Sequence, residues 1–168
     1  MINIVQATLP AHGEDIREIF AEYLRWVCPR IYQEYKVFFD AEAILSRDMD
    51  ALDKFLPPQG FLLLAYDDHS LAGCGCIRTI GIKIAEIKRM YVRPGFRQRG
   101  IGSALVNEFI QRFRDLNYSE MRLDSAGFMT DAHRIYKSMG FTEITHYKES
   151  EIPEEHSRHW KFMKLSLD

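Results

Sequence analysis

The sequence predicts a mixed α/β fold of the α+β type, with a mostly antiparallel sheet of six or seven strands and about four helices. Three observations predict it. Apolar residues recur with helical period between Ile16 and Leu56, three strand-like runs follow one another from Phe61 to Val92, and helix and strand patterns then alternate up to Leu167.

Taken in order, Ile2 to Ala7 alternates apolar and polar residues and predicts a first strand. Ile16, Ile19, Phe20, Tyr23, Leu24 and Val27 share one helical face, with the helix expected to end before Pro29. Arg30 to Asp40 is aromatic-rich without clean period and reads as a loop or an irregular helix. Leu45, Met49, Leu52 and Leu56 suggest a second helix, stopped by Pro57-Pro58-Gln59-Gly60. Phe61 to Tyr66, Leu71 to Ile80 and Ile84 to Val92 predict an antiparallel meander, its first turn at Asp67 to Ser70. A helix follows on Ile101, Leu105, Phe109, Phe113 and Leu116, then a strand over Tyr118 to Ser125. A short helix carries Ala132, Ile135, Tyr136 and Met139, and Gly140 is a left-handed stop. Phe141 to Tyr147 and His159 to Leu167 predict closing strands, joined by the acidic loop Lys148 to Arg158.

A chain of 168 residues suits one domain, 1–168, and can bury a core without disulfides. With 46% hydrophobic and 27% charged residues and a net charge of −2, it has no overall attraction for nucleic acid or anionic membrane, so an anion must be bound locally. Cys28, Cys74 and Cys76 make no disulfide framework, and Cys74 and Cys76 lack a second ligand pair for zinc; they read as small buried thiols, and no metal site is expected. No apolar run approaches the ~20 residues of a membrane helix, and Met1 to Pro10 lacks a leader pattern, which makes a cytoplasmic location the expectation.

Arg97-Gln-Arg-Gly-Ile-Gly-Ser103 lies between a strand and a helix, where first-turn N–H groups lack intrahelical partners and the helix dipole is positive. Gly100 and Gly102 let backbone approach a phosphate, and Arg97 and Arg99 add charge. Read alone, the stretch predicts a phosphorylated ligand.

Together, the strand Glu86 to Val92, the loop Arg93-Pro-Gly-Phe-Arg-Gln-Arg-Gly-Ile-Gly102 and the helix Ala132-His-Arg-Ile-Tyr-Lys-Ser-Met-Gly-Phe141 resemble the GNAT superfamily of acetyl-CoA-dependent N-acetyltransferases. The loop is similar to that family's Arg/Gln-x-x-Gly-x-Gly/Ala loop, and the helix to its Ala-x-x-Leu-Tyr-x-x-x-Gly-Phe helix. The resemblance implies a sheet splayed between its fourth and fifth strands with acetyl-CoA in the splay. It assigns the pantetheine and thioester to the backbone of Met90, Tyr91 and Val92, and the pyrophosphate to Arg97, Gln98, Arg99, Gly100, Gly102 and Ser103. Acetyl-CoA and an amine acceptor are the implied partners, and Phe141 to Leu167 is where a second copy of the chain would add a strand.

Thioester aminolysis needs a neutral amine, oxyanion donors and a proton for the departing thiolate. Tyr136 stands where family members place the thiolate's acid; the alternative is a core aromatic on a sheet-facing helix. Glu86, eleven residues before Arg97, has the spacing of the family's general-base glutamate; the alternative is a pairing with Lys88 or Arg78 at a solvent-facing edge. His133 reads as a flank residue facing solvent, with a base as its alternative. Asp124 and Ser125 end a strand, where polar residues serve as substrate contacts or as caps. Met129 departs from the pattern, since many relatives carry Asn there. Trp26, Tyr32, Tyr35, Phe38 and Phe39 wall an amine pocket or belong to the core. Glu149, Glu151, Glu154 and Glu155 read as a solvated loop. The leading function is acetyl transfer to a primary amine of a small molecule or a peptide; a non-catalytic acyl-CoA sensor is the alternative, and a nucleotide site lacks the Gly-Lys-Ser/Thr ending of a P-loop.

Overall fold

A computed structural model describes all residues, 1–168. Seven strands form one sheet: β1 (Ile2–Gln6), β2 (Gly60–Asp67), β3 (Ser70–Gly81), β4 (Ile84–Val92), β5 (Glu120–Ala126), β6 (Thr142–Ile144) and β7 (Trp160–Ser166), in the order β1-β2-β3-β4-β5-β7-β6. All neighbours are antiparallel except β4 and β5. That one parallel pair requires a crossover, supplied by helix α3 (Ile101–Asp115). Helices α1 (Gly13–Tyr35) and α2 (Ala41–Asp50) cover one face, where Phe20, Phe55, Leu62 and Leu64 are fully buried. On the other face α3 and α4 (Thr130–Ser138) pack on Leu63, Ile77, Ile87 and Leu123, with Leu105 and Phe109 at the centre. The predicted fold class and element order hold.

The second helix, expected to reach Leu56, ends at Asp50 and is followed by a 3-10 turn over Leu52–Phe55, and two further boundaries differ more widely from expectation. The first helix runs through Pro29 to Tyr35 rather than stopping before it. Pro29 is exposed, so water can satisfy the carbonyl that loses its intrahelical partner; burial of Ile31 and Tyr35 stacking offset the ~3 kcal/mol cost of an interior proline. The stretch Phe141 to Tyr147 makes only the three-residue β6, because Tyr147 turns inward and donates to Glu86.

The feature that shapes the site lies in β4. Pairing with β3 passes from Cys76↔Lys88 to Cys74↔Tyr91, so Arg89 and Met90 together oppose Gly75. This is a bulge, with Arg89 in the left-handed region at φ 54°. A Cβ on Gly75 would lie 2.5 Å from Met90 Sδ and 3.0 Å from Phe109 Cε2, so only glycine admits the bulge as built. Pairing of β4 with β5 stops at Ile87↔Leu123, which leaves the β5-facing edge of Lys88 to Val92 free. The two parallel strands therefore part at their C-terminal ends.

Gly75→Ala should lower stability by about 1–3 kcal/mol through overpacking. Urea unfolding checks this; an unchanged midpoint would show that Met90 and Phe109 give way without cost.

Candidate active site

Two cavities open from the gap between β4 and β5. One, of about 190 Å³, lies toward α1 and α2 and is walled by Tyr23, Leu24, Val27, Ile44 and Trp160, with Lys88, Arg89, Asp124 and Glu151 at its polar side. The other, of about 570 Å³, runs between α3 and α4 past Val92, Gln98, Gly102 and Ser103. Met90, Met129 and Tyr136 line both, so the cavities meet there.

The larger groove contains most of the residues predicted for a phosphorylated ligand. Met90, Tyr91, Val92, Arg97, Gln98, Gly100, Gly102 and Ser103 line it. Gly100, at φ 80°, begins α3 without a side-chain cap, and the first intrahelical bond is Ala104 N to Gly100 O at 2.9 Å. The N–H groups of Ile101, Gly102 and Ser103 are thus open to an acceptor. Arg97 lies over Trp26 and Tyr91, 5.3 and 5.8 Å from their centroids, and donates from Nε to the Val92 carbonyl at 2.9 Å. Arg99 differs from expectation. Its side chain turns away to Asp67, at 2.9 Å, and lies over Phe96, so its charge is held outside the groove.

At the junction Tyr136 is 5% exposed, and no hydrogen bond within the chain engages its hydroxyl. Burial pushes its pKa up, with Tyr23 and Asp124 adding to the effect, so the phenol stays protonated at neutral pH. Tyr23, absent from the predicted set, faces the same cavity and is raised to about 12 by burial. Met129 Sδ lies 3.6 Å from Ser125 Oγ.

Behind the smaller cavity lies a buried network of charges. Lys88, 6% exposed, has its Nζ 3.1 Å from Asp124, 3.5 Å from Glu151 and 3.9 Å from Glu86. Arg89 donates to Asp48 at 2.7 Å and to Glu151 at 3.2 Å, and Lys54 reaches Asp48 at 3.0 Å. Burial alone would lower the Lys88 pKa, but Asp124, Glu86 and Glu151 outweigh it and hold it raised. No fully enclosed side-chain nitrogen or oxygen is left without a partner, so the unbonded Tyr136 hydroxyl is open to the cavities it borders.

Glu86 makes the pairing expected with Arg78 and Lys88, but not at a solvent-facing edge. It is fully buried rather than at a solvent edge, held by Arg78 at 2.9 Å and by the Tyr147 hydroxyl at 2.8 Å. It also lines neither cavity, so direct proton removal from an acceptor there is closed to it. Burial raises its pKa, as does Asp124, against Lys88, Arg78 and the Tyr147 bond. Two carboxylates do line the smaller cavity, Glu151 and Asp124, and Asp124 Oδ2 takes bonds from Lys88 at 3.1 Å and Ser150 at 2.8 Å, which leaves Oδ1 without a bond inside the chain.

Other expectations divide. Phe39 lines the smaller cavity, Trp26 lines the larger groove, and Tyr35 stacks on His159 with centroids 4.5 Å apart. Tyr32 and Phe38 are exposed. Glu154 and Glu155 are solvated as read, whereas Glu151 turns into the charge network and the Glu149 carbonyl accepts from Arg78. His133 is buried, 8% exposed, and bonded to Ser125, not solvent-facing. The missed residues carried one sequence signal, the adjacent charges Lys88 and Arg89 inside a strand.

The acetyltransferase (GNAT) family profile matches residues 14–141. The chain belongs to that family. An uncharacterized N-acetyltransferase of Schizosaccharomyces pombe is 34% identical over 154 residues, 90% of each chain. The fold is that of a GNAT-family acetyltransferase from Staphylococcus aureus Mu50, with a TM-score of 0.78, 20% identity and full coverage of both chains. It is also that of the PaiA N-acetyltransferase from Thermoplasma acidophilum, solved in complex with coenzyme A, with a TM-score of 0.75, 18% identity and 99% of each chain covered. The activity is accordingly that of an N-acetyltransferase. No helix is long and apolar enough to cross a membrane.

Burial tends to raise the pKa of Glu151, but Lys88, Arg89, Arg78 and Lys54 outweigh it and leave it lowered. A lowered carboxylate stabilises the fold above its unfolded value of about 4.5, and the contribution is lost as pH falls below that. Stability should therefore drop on acidification below about pH 5, and Glu151→Gln should flatten that limb; unfolding curves at pH 3.5 to 7 read this out. Asp48→Ala, which strips Arg89 and Lys54 of a buried partner, should cost about 3–5 kcal/mol, measured by the same method.

Proposed function

We propose that this chain moves the acetyl group of acetyl-CoA to a small primary amine by direct attack. One observation carries the reading: the two cavities of unlike character meet only in the gap between β4 and β5, at Met90, Met129 and Tyr136. A reaction joining two substrates needs such a meeting point. The groove suits a long anionic donor, since it pairs a free strand edge with an uncapped helix start. Backbone groups of Met90, Tyr91 and Val92 hold the pantetheine and polarise the thioester. Gln98, Gly100, Gly102 and Ser103 hold the pyrophosphate with their backbone, Arg97 adds its charge, and Arg99 contributes main chain only.

The acceptor enters the smaller cavity. Its volume, below the ~300–1,000 Å³ of typical ligand pockets, favours a compact amine or a single side chain over a folded surface. Asp124 Oδ1 docks the ammonium, while aromatic and aliphatic walls take the carbon skeleton. Tyr136 protonates the departing thiolate, a role supported by its buried, protonated phenol at the junction. Glu86 fixes Lys88 and Tyr147 behind Asp124 rather than meeting the amine.

Calorimetry should show acetyl-CoA binding that Arg97→Glu weakens. A panel of alkylamines, amino acids, polyamines, aminoglycosides and short peptides, followed by CoA release, should single out a small amine. Tyr136→Phe should lower kcat ~10²–10⁴-fold with acetyl-CoA affinity kept. Binding without turnover of any amine would instead make the chain an acyl-CoA sensor.

A further inference from the structure

The mechanism above leaves one buried polar pair unused. Ser125, at the end of β5, lines the smaller cavity, and its Oγ lies 3.0 Å from His133 Nε2. The same Oγ is 3.6 Å from Met129 Sδ, which places it beside the junction of the two cavities. His133 is one turn before Tyr136 on α4 and lines neither cavity. The serine thus stands between the reacting region and the imidazole. A serine hydroxyl is donor and acceptor at once, so it can pass a proton on without holding it.

We propose that Ser125 and His133 form a proton relay that draws the proton of the acceptor ammonium away from the cavity. The inference rests on the acetyl-transfer reading. As the ammonium moves from Asp124 into the gap between the strands and gives a proton to Ser125 Oγ, the hydroxyl proton passes to His133 Nε2, and the amine becomes a neutral nucleophile. The C–N bond then forms and the C–S bond breaks, Tyr136 gives its proton to the thiolate sulfur, and the second amine proton returns to Tyr136. One proton leaves for solvent from the imidazolium, which balances the conversion of an ammonium and a thioester into an amide and a thiol.

The surroundings of His133 suit an acceptor that empties itself. Burial lowers its pKa, and Lys161 on β7 and Lys137 on α4 lower it further, against Glu143 on β6 and the Ala126 backbone. The ring is neutral near pH 7 and sheds its proton readily. Asp124, by contrast, already takes two bonds on one oxygen and serves to dock the ammonium.

The experiment compares wild type with His133→Gln, Ser125→Ala and Ser125→Thr, using the fastest alkylamine of the panel and methoxyamine, a nucleophile already neutral at pH 7. With the alkylamine, His133→Gln and Ser125→Ala should lose ~10²–10⁴-fold in kcat. They should also lose the acid limb of the kcat profile, while Ser125→Thr keeps much of both. With methoxyamine all four proteins should turn over within a few-fold of one another, at equal acetyl-CoA affinity. Equal losses with both nucleophiles, or an unmoved acid limb in His133→Gln, would overturn the relay. A profile moved only by Asp124→Asn would give the proton to Asp124 and overturn it too. If wild type releases no CoA with either nucleophile, the acetyl-transfer reading itself falls.

Discussion

The bulge at Arg89 and Met90 governs the site because one extra residue in β4 changes three things at once. It ends the pairing with β5, so that two parallel strands that would otherwise share hydrogen bonds to their tips separate after Ile87 and Leu123. It puts Lys88 and Arg89 on the same side of the sheet, where strict alternation would send one to the α3 face. It also turns Met90 into the gap over Gly75, where the thioether lines both cavities. Arg89 holds a left-handed backbone that costs of the order of 1–3 kcal/mol for a side-chain-bearing residue, and its bonds to Asp48 and Glu151 oppose that cost.

The charge network follows from this geometry. Two adjacent cations forced to one buried face must be compensated, and the carboxylates come from elements far apart in the chain: Asp48 from α2, Asp124 from β5, Glu151 from the late loop. Such a network adds little net stability against an apolar core of the same volume, because desolvation consumes much of the attraction. What it does is join α2, β4, β5 and the late loop around the small cavity, with each partner's removal leaving a buried charge behind. The walls of an acceptor site are fixed in this way without a ligand to order them.

The elements legible in the sequence were those with local signals. Apolar runs, periodicity and turn residues located the seven strands and the four helices, and the glycine loop before α3 was recognisable from composition and position alone. What escaped depends on contacts across the chain. Pro29 marks a helix stop by local rule, but exposure at that position and burial beyond it carry α1 on to Tyr35. Glu86 had the right spacing for a base, yet whether a carboxylate meets a cavity or is sealed behind it depends on Arg78, Lys88 and Tyr147, the last sixty-one residues away. Arg99 sits in the motif, but Asp67 claims its side chain. For His133 the signal was present and under-used: residues three apart on a helix share a face, so a buried Tyr136 argues for a buried His133.

Met129 ties these points together. An amide at this position would offer a donor and an acceptor to a ligand, whereas the thioether offers a weak acceptor and apolar volume. In this chain it lies against Ser125 Oγ and lines both cavities, so the junction is flanked by two thioethers, Met90 and Met129, with Tyr136 as its polar wall. A junction so apolar strengthens every charge interaction within it and leaves few groups able to move a proton. The burden then falls on the hydroxyls that border it, Tyr136 on the thiolate side and Ser125 on the amine side. That both residues lie on or against α4, one turn apart through His133, makes the docking of this short helix across the end of β5 the step by which the fold completes the site.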